Sequence, residues 1–520
     1  MINTETSKRK AVLTLISLDN IYSLGVRTLS SFLKARDFQV NAIFLKTSSY
    51  GNHQTPNNRD ILLDLLAKIG TDIVGLSVKT PYLKLATDIT NRIQESLKIK
   101  VIWGGTHPTI LPEECIQVAD IICRGEGEYA LLELLERLHK GDAPYGIQNL
   151  WVRDGNNIHR NSQRPLLQDD DLNALPFPDY NSEDMYFVNN GFVTKGDPVI
   201  NNSFEEYDTI ASRGCPFRCS YCVNSILRDI YPKGSKFIRK RDPENVVNEI
   251  EHALNVMPNI QKIRFQDEVF PWEENWLAEF RDVYKRRINL PFVCTYHPNM
   301  VSENRIGLLR DAGMATLGLG IQSACEKIRQ QVFARPESNE QILKSINILH
   351  KNKIEVNFDL ILDNPYETQP HKEDGLRFLL NIPKPFTLFF FSLRFFPMFT
   401  LTTKALSDKV ISEREIENGA GRLEFRYEWN AKSKKEDMFW GSLFVLASRS
   451  CIPRGFVKYF GHSAFIRKNP KIIFFIVKIS KYPEFIIIGL RRLMRGHLKL
   501  SALLRLVSPK GIKKLFSKFY

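Results

Sequence analysis

Ser212-Arg213-Gly214-Cys215-Pro216-Phe217-Arg218-Cys219-Ser220-Tyr221-Cys222 sets three cysteines at C-x3-C-x2-C spacing in a short loop bearing glycine and proline. Thiolates so close in sequence can converge on one soft metal centre. A structural zinc site needs a fourth ligand and usually shows paired C-x2-C elements, and no Cys or His follows closely downstream. Three thiolates suit a 4Fe-4S cluster with one iron left without a protein ligand, which lets the cluster bind and reduce a small molecule. A distorted zinc site and three incidental thiols are the bland alternatives.

Downstream of this loop the sequence alternates between two periods. Pro243 to Val256 reads as a helix opened by proline. Lys262 to Gln266 reads as a strand ending at Asp267-Glu268, and Pro291 to Tyr296 as the next. Glu303 to Ala312 is helical, and Thr316 to Ile321 is a strand ending at Gln322-Ser323. Asn339 to Lys351 is helical, Glu355 to Leu362 a strand, and Leu388 to Phe395 a sixth. With Thr209-Ile210-Ala211 leading into the cysteine loop, six βα units predict a partial (β/α)6 barrel over about 205–430. Its active end is the carboxyl end of the strands, where the cysteine loop also lies.

Upstream, Ala11 to Ile16, Val40 to Leu45, Ile73 to Val78, Val101 to Gly105 and Ile121 to Gly125 are apolar runs of buried parallel strands. Helical patterns at Leu24 to Leu33, Ile61 to Ile69, Tyr82 to Leu97 and Tyr129 to Lys140 separate or follow them. The expected fold is α/β: a doubly wound parallel sheet over 1–145, Rossmann-like, before the partial barrel. Ligands in such sheets bind beyond the strand carboxyl ends, here Asp19-Asn20, Ser77 to Thr80, Gly104 to Pro108 and Gly125 to Glu128. The glycine pattern is not G-x-G-x-x-G, which argues against a dinucleotide. Trp151 to Asp208 is turn-rich, and 146–204 reads as an irregular linker.

The chain has 520 residues, 43% of them hydrophobic, which predicts two or three globular domains. Eight cysteines do not make a disulfide scaffold; Cys115, Cys123, Cys294, Cys325 and Cys451 read as small hydrophobes. Met1 to Lys10 is polar and carries no apolar signal region. The net charge of +14 is uneven: from Cys451 to Tyr520 sixteen Lys and Arg face one acid, Glu484, so the tail carries about +15. Within 431–520, which is expected to be mainly helical, no run of ~18 uncharged apolar residues exists, which argues against a spanning helix. Ile486, Leu490, Leu493, Leu500, Leu504 and Val507 follow helical spacing, with Arg491, Arg495 and Lys499 on another face. Such a basic amphipathic helix reads as lying on an anionic membrane surface; the alternatives are a helix packed on the core and an RNA-binding tail.

The loop C-x3-C-x-aromatic-C, with Tyr221 as the aromatic, resembles the cluster motif of the radical S-adenosylmethionine (radical SAM) enzymes. The resemblance spans about 205–430. It implies that Cys215, Cys219 and Cys222 hold a 4Fe-4S cluster whose open iron chelates the methionyl amine and carboxylate of S-adenosylmethionine, giving a 5′-deoxyadenosyl radical. It further implies that Asp267 and Glu268 face the methionyl amine, that Gly320-Ile321-Gln322-Ser323 lies beside the cofactor, and that Asn357 and Asp359 meet the ribose. For these two strand-end polar groups, solvation alone is an equal reading. Two departures stand out. Asp363-Asn364-Pro365-Tyr366-Glu367-Thr368 lacks the first glycine of the family's Gly-x-Pro-x-Glu-Thr, and Pro397-Met398-Phe399-Thr400 replaces Pro-Gly-Thr. These departures bear on the adenine-side contacts, not on the cluster.

Gly104-Gly105-Thr106-His107-Pro108-Thr109 followed by Arg124-Gly125-Glu126-Gly127-Glu128 looks like the cobalamin-binding domain found N-terminal to many radical SAM cores, over roughly 10–140. This places Ser77, Thr80, Gly104, Gly105, His107, Gly125 and Glu126 at the corrin. His107 reads as a turn residue before Pro108, and no histidine stands after the first strand at Asp19 to Gly25, so cobalt is expected to carry no histidine.

The implied activity is a cobalamin-dependent radical SAM reaction, methyl transfer to an unactivated carbon, on a small and hydrophobic, lipid-like substrate at the domain interface. A reductant such as ferredoxin or flavodoxin would supply electrons in a reducing cytoplasm, with peripheral membrane attachment through the tail. Three rivals stand beside it: a radical cyclase or rearrangement enzyme, an RNA-modifying radical SAM enzyme and a non-enzymatic cobalamin sensor. RNA-modifying methylthio-transferring relatives carry a second cysteine triad near the N-terminus, where only Cys115 and Cys123 stand here, so nucleic acid is not the expected partner.

Overall fold

The computed structural model describes residues 10–46, 58–180, 183–232, 234–420 and 435–494. The apolar runs of the first 125 residues become β1 (Leu13–Leu18), β2 (Val40–Leu45), β3 (Ile73–Ser77), β4 (Lys100–Gly104) and β5 (Ile121–Cys123). They pair in parallel in the order β5-β4-β3-β1-β2, with helices on both faces. Both faces are covered, so β1 and β2 are buried at every position. This is the expected doubly wound sheet.

The segment 146–204, read as an irregular linker, instead lengthens this sheet at both edges. β6 (Leu150–Asp154) and β7 (Asn157–Arg160) form an antiparallel hairpin on β5. β8 (Met185–Asn189) joins β2 in parallel, and β9 (Phe192–Lys195) closes that edge as a hairpin. These strands are short, turn-bounded and only partly buried, so periodicity alone did not mark them.

An ion pair ties this wrap to the first helix. Arg27, fully buried on Leu24–Lys34, binds Asp197, donates to the Asp179 carbonyl at 2.8 Å, and stacks over Tyr180 at 4.1 Å.

The second unit comprises β10 (Glu206–Thr209), the small pair β11 (Ser212–Arg213) and β12 (Arg239–Lys240), then β13 (Lys262–Phe265), β14 (Phe292–Tyr296), β15 (Met314–Gln322), β16 (Glu355–Leu362) and β17 (Thr387–Ser392). Six strands lie in chain order β10-β13-β14-β15-β16-β17, all parallel, as the expected half-barrel. Alternation along each strand sorts the side chains. Tyr207, Ile263, Cys294, Leu317, Leu319, Val356, Phe358 and Leu360 enter the core under the helices. Their neighbours Thr295, Gly318, Asn357, Asp359, Phe389 and Phe391 therefore share the concave face.

Four helices close the described chain: Lys435–Ser448, Arg454–His462, Ala464–Lys468 and Lys471–Met494. The first is buried almost throughout and packs on Gln369–Asn381, on β17 and on the last helix. Ile472 to Val477 and Phe485 to Leu490, two apolar runs parted by Lys478, Lys481, Pro483 and Glu484, lie on one helix that continues through Pro483. Its Ile473, Val477, Ser480 and Glu484 are buried, so this part of the tail packs on the core. The amphipathic segment expected from Ile486 to Val507 is described only to Met494; Arg495, Lys499, Leu500, Leu504 and Val507 lie outside the described residues. Among the described residues no helix is long and apolar enough to cross a membrane.

Candidate active site

The cysteine loop leaves β10 and is braced where β11 pairs with β12. Gly214 has φ +98°, and a Cβ there would lie 2.2 Å from the Phe237 carbonyl oxygen, so the approach to Cys215 requires glycine. Ser220 donates to the Val332 carbonyl at 2.7 Å, Ser225 to the Cys219 carbonyl at 2.8 Å, and Arg228 to the Cys215 carbonyl. Cys219 is buried; Cys215 and Cys222 are half-buried. Burial pushes the Cys215 thiol up to about 12 and raises that of Cys222, with the neighbouring sulfurs and Glu268 adding to it.

A bound cation offsets that cost, because metal coordination deprotonates a thiol outright. Among the described residues no three His, Cys, Asp or Glu converge as around a single ion. A cubane takes each thiolate on a different iron, so its ligands stand farther apart, and this donor set fits a cluster.

The strand ends around the loop divide into two groups. Glu268, just beyond β13, keeps an exposed side chain; the protein packed around it raises its pKa, and its charge acts on Cys215 and Cys222. Asn357 and Asp359 stand on the concave face, and burial raises Asp359 to about 6. All three are at least partly open to solvent.

Asp267 is not. Its carboxylate accepts from the Ala211 amide at 3.1 Å and from Ser212 Oγ at 2.5 Å, so it struts the entrance of the loop instead of facing the methionyl amine. Ser323 gives its hydroxyl to Glu367 at 2.9 Å and accepts from the Cys325 amide. It therefore binds β15 to the Asp363–Thr368 turn, while Gln322, at φ +63°, turns the chain out of β15. Both missing glycines keep their backbone geometry: Asp363 has φ +59° and Met398 φ +69°, so the left-handed turns survive the substitutions.

Sequence reading missed Arg335. It is buried, donates to Cys219 Sγ at 3.5 Å and to Tyr221 Oη at 3.3 Å, and binds the Gly320 carbonyl. Glu337 holds it at 2.7 Å, and His297 holds Glu337 at 3.1 Å. A fixed guanidinium thus stands beside one cluster ligand, and its charge acts on Asp359. No local signal in Ala334-Arg335-Pro336-Glu337 announces this; the contact exists only once β15 and the loop meet.

At the other domain, His107 is buried. Its Nδ1 meets Thr80 Oγ1 at 3.1 Å, its Nε2 has no hydrogen-bond partner, and burial lowers its pKa to about 4. An orphaned neutral ring nitrogen at the strand ends fits a bound ligand there. Ser77 and Gly104 pair across β3 and β4 at the same edge.

Two of the strand-end glycines are required by protein neighbours: a Cβ on Gly105 (φ +101°) would meet the Val78 carbonyl oxygen at 2.8 Å, and one on Gly125 (φ +84°) the Tyr231 hydroxyl at 3.0 Å.

Glu126 is likewise engaged. It accepts from Arg213 at 2.8 Å, Arg239 at 2.7 Å and the Leu167 amide at 2.8 Å, while Glu128 takes the other Arg213 nitrogen at 2.9 Å. Arg-Gly-Glu-Gly-Glu therefore clamps the residue two before Cys215. Helix Thr106–Ile110, which carries His107, packs on helix Val223–Ile230, which follows Cys222. The two strand-end faces thus adjoin.

Comparison with known proteins agrees with this arrangement. Residues 209–379 match the Radical SAM superfamily and residues 12–135 the B12 binding domain. An uncharacterized methyltransferase of Pyrococcus horikoshii is 26% identical over 322 residues, 60% of this chain. The anaerobic magnesium-protoporphyrin IX monomethyl ester cyclase of Cereibacter sphaeroides is 23% identical over 437 residues, 74% of this chain. The chain spans 65% of the length of each of these relatives. Among solved structures, the cobalamin-dependent S-adenosylmethionine radical enzyme OxsB with aqua-cobalamin aligns over 98% of this chain and 79% of its own, at TM-score 0.58 and 17% identity. The radical S-adenosylmethionine methyltransferase TsrM from Kitasatospora setae aligns over 76% of each chain at TM-score 0.57 and 18% identity. The chain belongs to the radical SAM enzymes that carry an N-terminal cobalamin-binding domain, with a 4Fe-4S cluster, S-adenosylmethionine and cobalamin as their cofactors.

Proposed function

We propose that this enzyme methylates an unactivated carbon of a hydrophobic small molecule held between the two strand-end faces. The observation that carries the reading is the packing of Thr106–Ile110 on Val223–Ile230, which brings the cobalamin end of one domain against the cluster loop of the other. When bound, the cofactors supply reductive cleavage of S-adenosylmethionine to a carbon radical and delivery of a methyl group. Cys215, Cys219 and Cys222 would hold the cluster. Glu268 and Asp359 offer carboxylates to the cofactor's amine and hydroxyls, and Arg335 fixes a positive charge among them. Phe389, beside Asp359 in register, and Phe391 present an apolar wall on the open edge of the barrel, which supports a hydrophobic substrate. Electrons would come from a low-potential carrier such as ferredoxin or flavodoxin.

A second reading has support of its own, because the Cereibacter sphaeroides relative is named as a cyclase. S-adenosylmethionine labelled in its methyl group, given to anaerobic extracts with and without the gene, separates the two. Label in a gene-dependent product supports methyl transfer. Formation of 5′-deoxyadenosine with an unlabelled, gene-dependent product refutes it in favour of cyclisation.

A further inference from the structure

The described residues expose fifteen large hydrophobic side chains, and nine of them lie between Phe456 and Met494. On the last helix Ile472, Phe475, Ile479 and Tyr482 recur at helical spacing, and Phe475 is 63% exposed. The opposite face, Ile473, Val477, Ser480 and Glu484, is the one buried on the core. The exposed stripe is therefore not needed to hold the helix in place. Phe456, Tyr459 and Phe465 are likewise exposed on the two preceding helices, at 58%, 68% and 65%, and all three helices pack on Lys435–Ser448. Concentrated apolar exposure of this kind marks an interaction surface.

Charge selects the occupant. Residues 451–494 carry nine Lys and Arg and a single acid, Glu484. That acid is itself buried and accepts from the Cys451 amide at 3.1 Å. A second copy of this chain would bring the same cations to the contact. Residues 495–520, with seven Lys and Arg and no acid, are repelled as well. An anionic partner with an apolar interior is an anionic lipid surface. Aliphatic Ile472 and Ile479, set among the exposed aromatic rings, suit acyl chains. Lys478 and Lys481 lie midway along the same helix, as in a helix that rests on a bilayer instead of crossing it.

We propose that helices Arg454–His462, Ala464–Lys468 and Lys471–Met494 form a membrane-docking face that seats Phe456, Tyr459, Phe465, Phe475 and Ile479 at the headgroup–acyl boundary of an anionic bilayer. The face lies earlier than the helix expected from sequence at Ile486 to Val507. It is bolted to the half-barrel's open edge. Helix Lys435–Ser448, on which these helices pack, contacts β17, and Lys384 Nζ, just before β17, binds the Ile452 carbonyl at 2.8 Å. The inference does not depend on the proposed reaction, but it would bring the Phe389–Phe391 side of the barrel near lipid.

The test is flotation of the full chain with vesicles of phosphatidylglycerol and phosphatidylcholine, and with phosphatidylcholine alone. The protein is compared with its variant Phe456→Ser/Tyr459→Ser/Phe475→Ser/Ile479→Ser. All four side chains are exposed, so iron content and thermal unfolding of the variant should match those of the parent. The parent should bind the anionic vesicles, more weakly but still measurably at high salt, and the variant should lose at least about tenfold in binding at unchanged charge. Four results overturn the proposal: equal binding by the variant, no binding by the parent at low salt, vesicle binding abolished by a short RNA, and a parent dimer that the variant dissolves. None of them bears on methyl transfer, so the two proposals fail separately.

Discussion

Substituting Gly214 by Ala should empty the cluster site while leaving the chain folded. The added Cβ would lie 2.2 Å from the Phe237 carbonyl oxygen, where ordinary contact begins at 3.4 Å, so one of the two must retreat by about 1 Å. Overpacking of this kind costs about 1–3 kcal/mol. An L-residue at φ +98° adds about 1–2 kcal/mol. The total, about 2–5 kcal/mol, is smaller than the ~5–15 kcal/mol that holds a domain together. The cheaper relief is to move the loop, and Cys215 is the next residue. Gly146→Ala is the control: its φ is +76°, but nothing lies within 4 Å of a Cβ there, so only the backbone strain applies. The assay is anaerobic reconstitution followed by iron and sulfide per chain, 5′-deoxyadenosine release and the urea midpoint. Iron near zero is expected for Gly214→Ala, with Gly146→Ala keeping its cluster. Full iron content in Gly214→Ala, at a urea midpoint no lower than that of the control, would refute the reasoning.

Other consequences concern charge and the cobalamin end. Asp197→Ala removes one partner of a fully buried pair and strands Arg27, so urea unfolding should show a loss of about 3–5 kcal/mol. His107 is held neutral in the fold, at about 4 against about 6.5 unfolded, so the unfolded chain binds the extra proton first. Stability of the cofactor-free protein should therefore fall as pH drops from about 6.5 to about 4, by on the order of 3 kcal/mol. His107→Leu should flatten that slope; an unchanged urea-midpoint profile would show that the titration lies elsewhere. With cobalamin bound in its paramagnetic cob(II) state, electron paramagnetic resonance should show no nitrogen superhyperfine splitting. Splitting that disappears in His107→Leu would instead put the orphaned Nε2 on cobalt.

Much of this protein is written locally. Helix Pro243–Val256, strand Glu355–Leu362 and helix Asn339–Lys351 fall where period and start signals put them, because a buried face imposes its spacing on the sequence that makes it. The cysteine triad is legible for the same reason: its ligands are neighbours along the chain. The strands of 146–204 escaped because they are short and half-exposed, and only the free edges of the first sheet select them. The roles of polar residues also had to wait for the fold. Glu126 and Asp267 carry the right chemistry for a cofactor, but a carboxylate binds whichever partners reach it. Arg213 comes from 87 residues away to Glu126, and the Ala211 amide from 56 residues away to Asp267. Arg335 meets Cys219 across 116 residues. Sequence alone determined the core strands and helices of the two sheets and where the cluster loop sits, since those depend on spacing along the chain. Tertiary structure decided which charges face the cofactors and which brace the frame, since Coulomb and hydrogen-bond partners are set by distance in space.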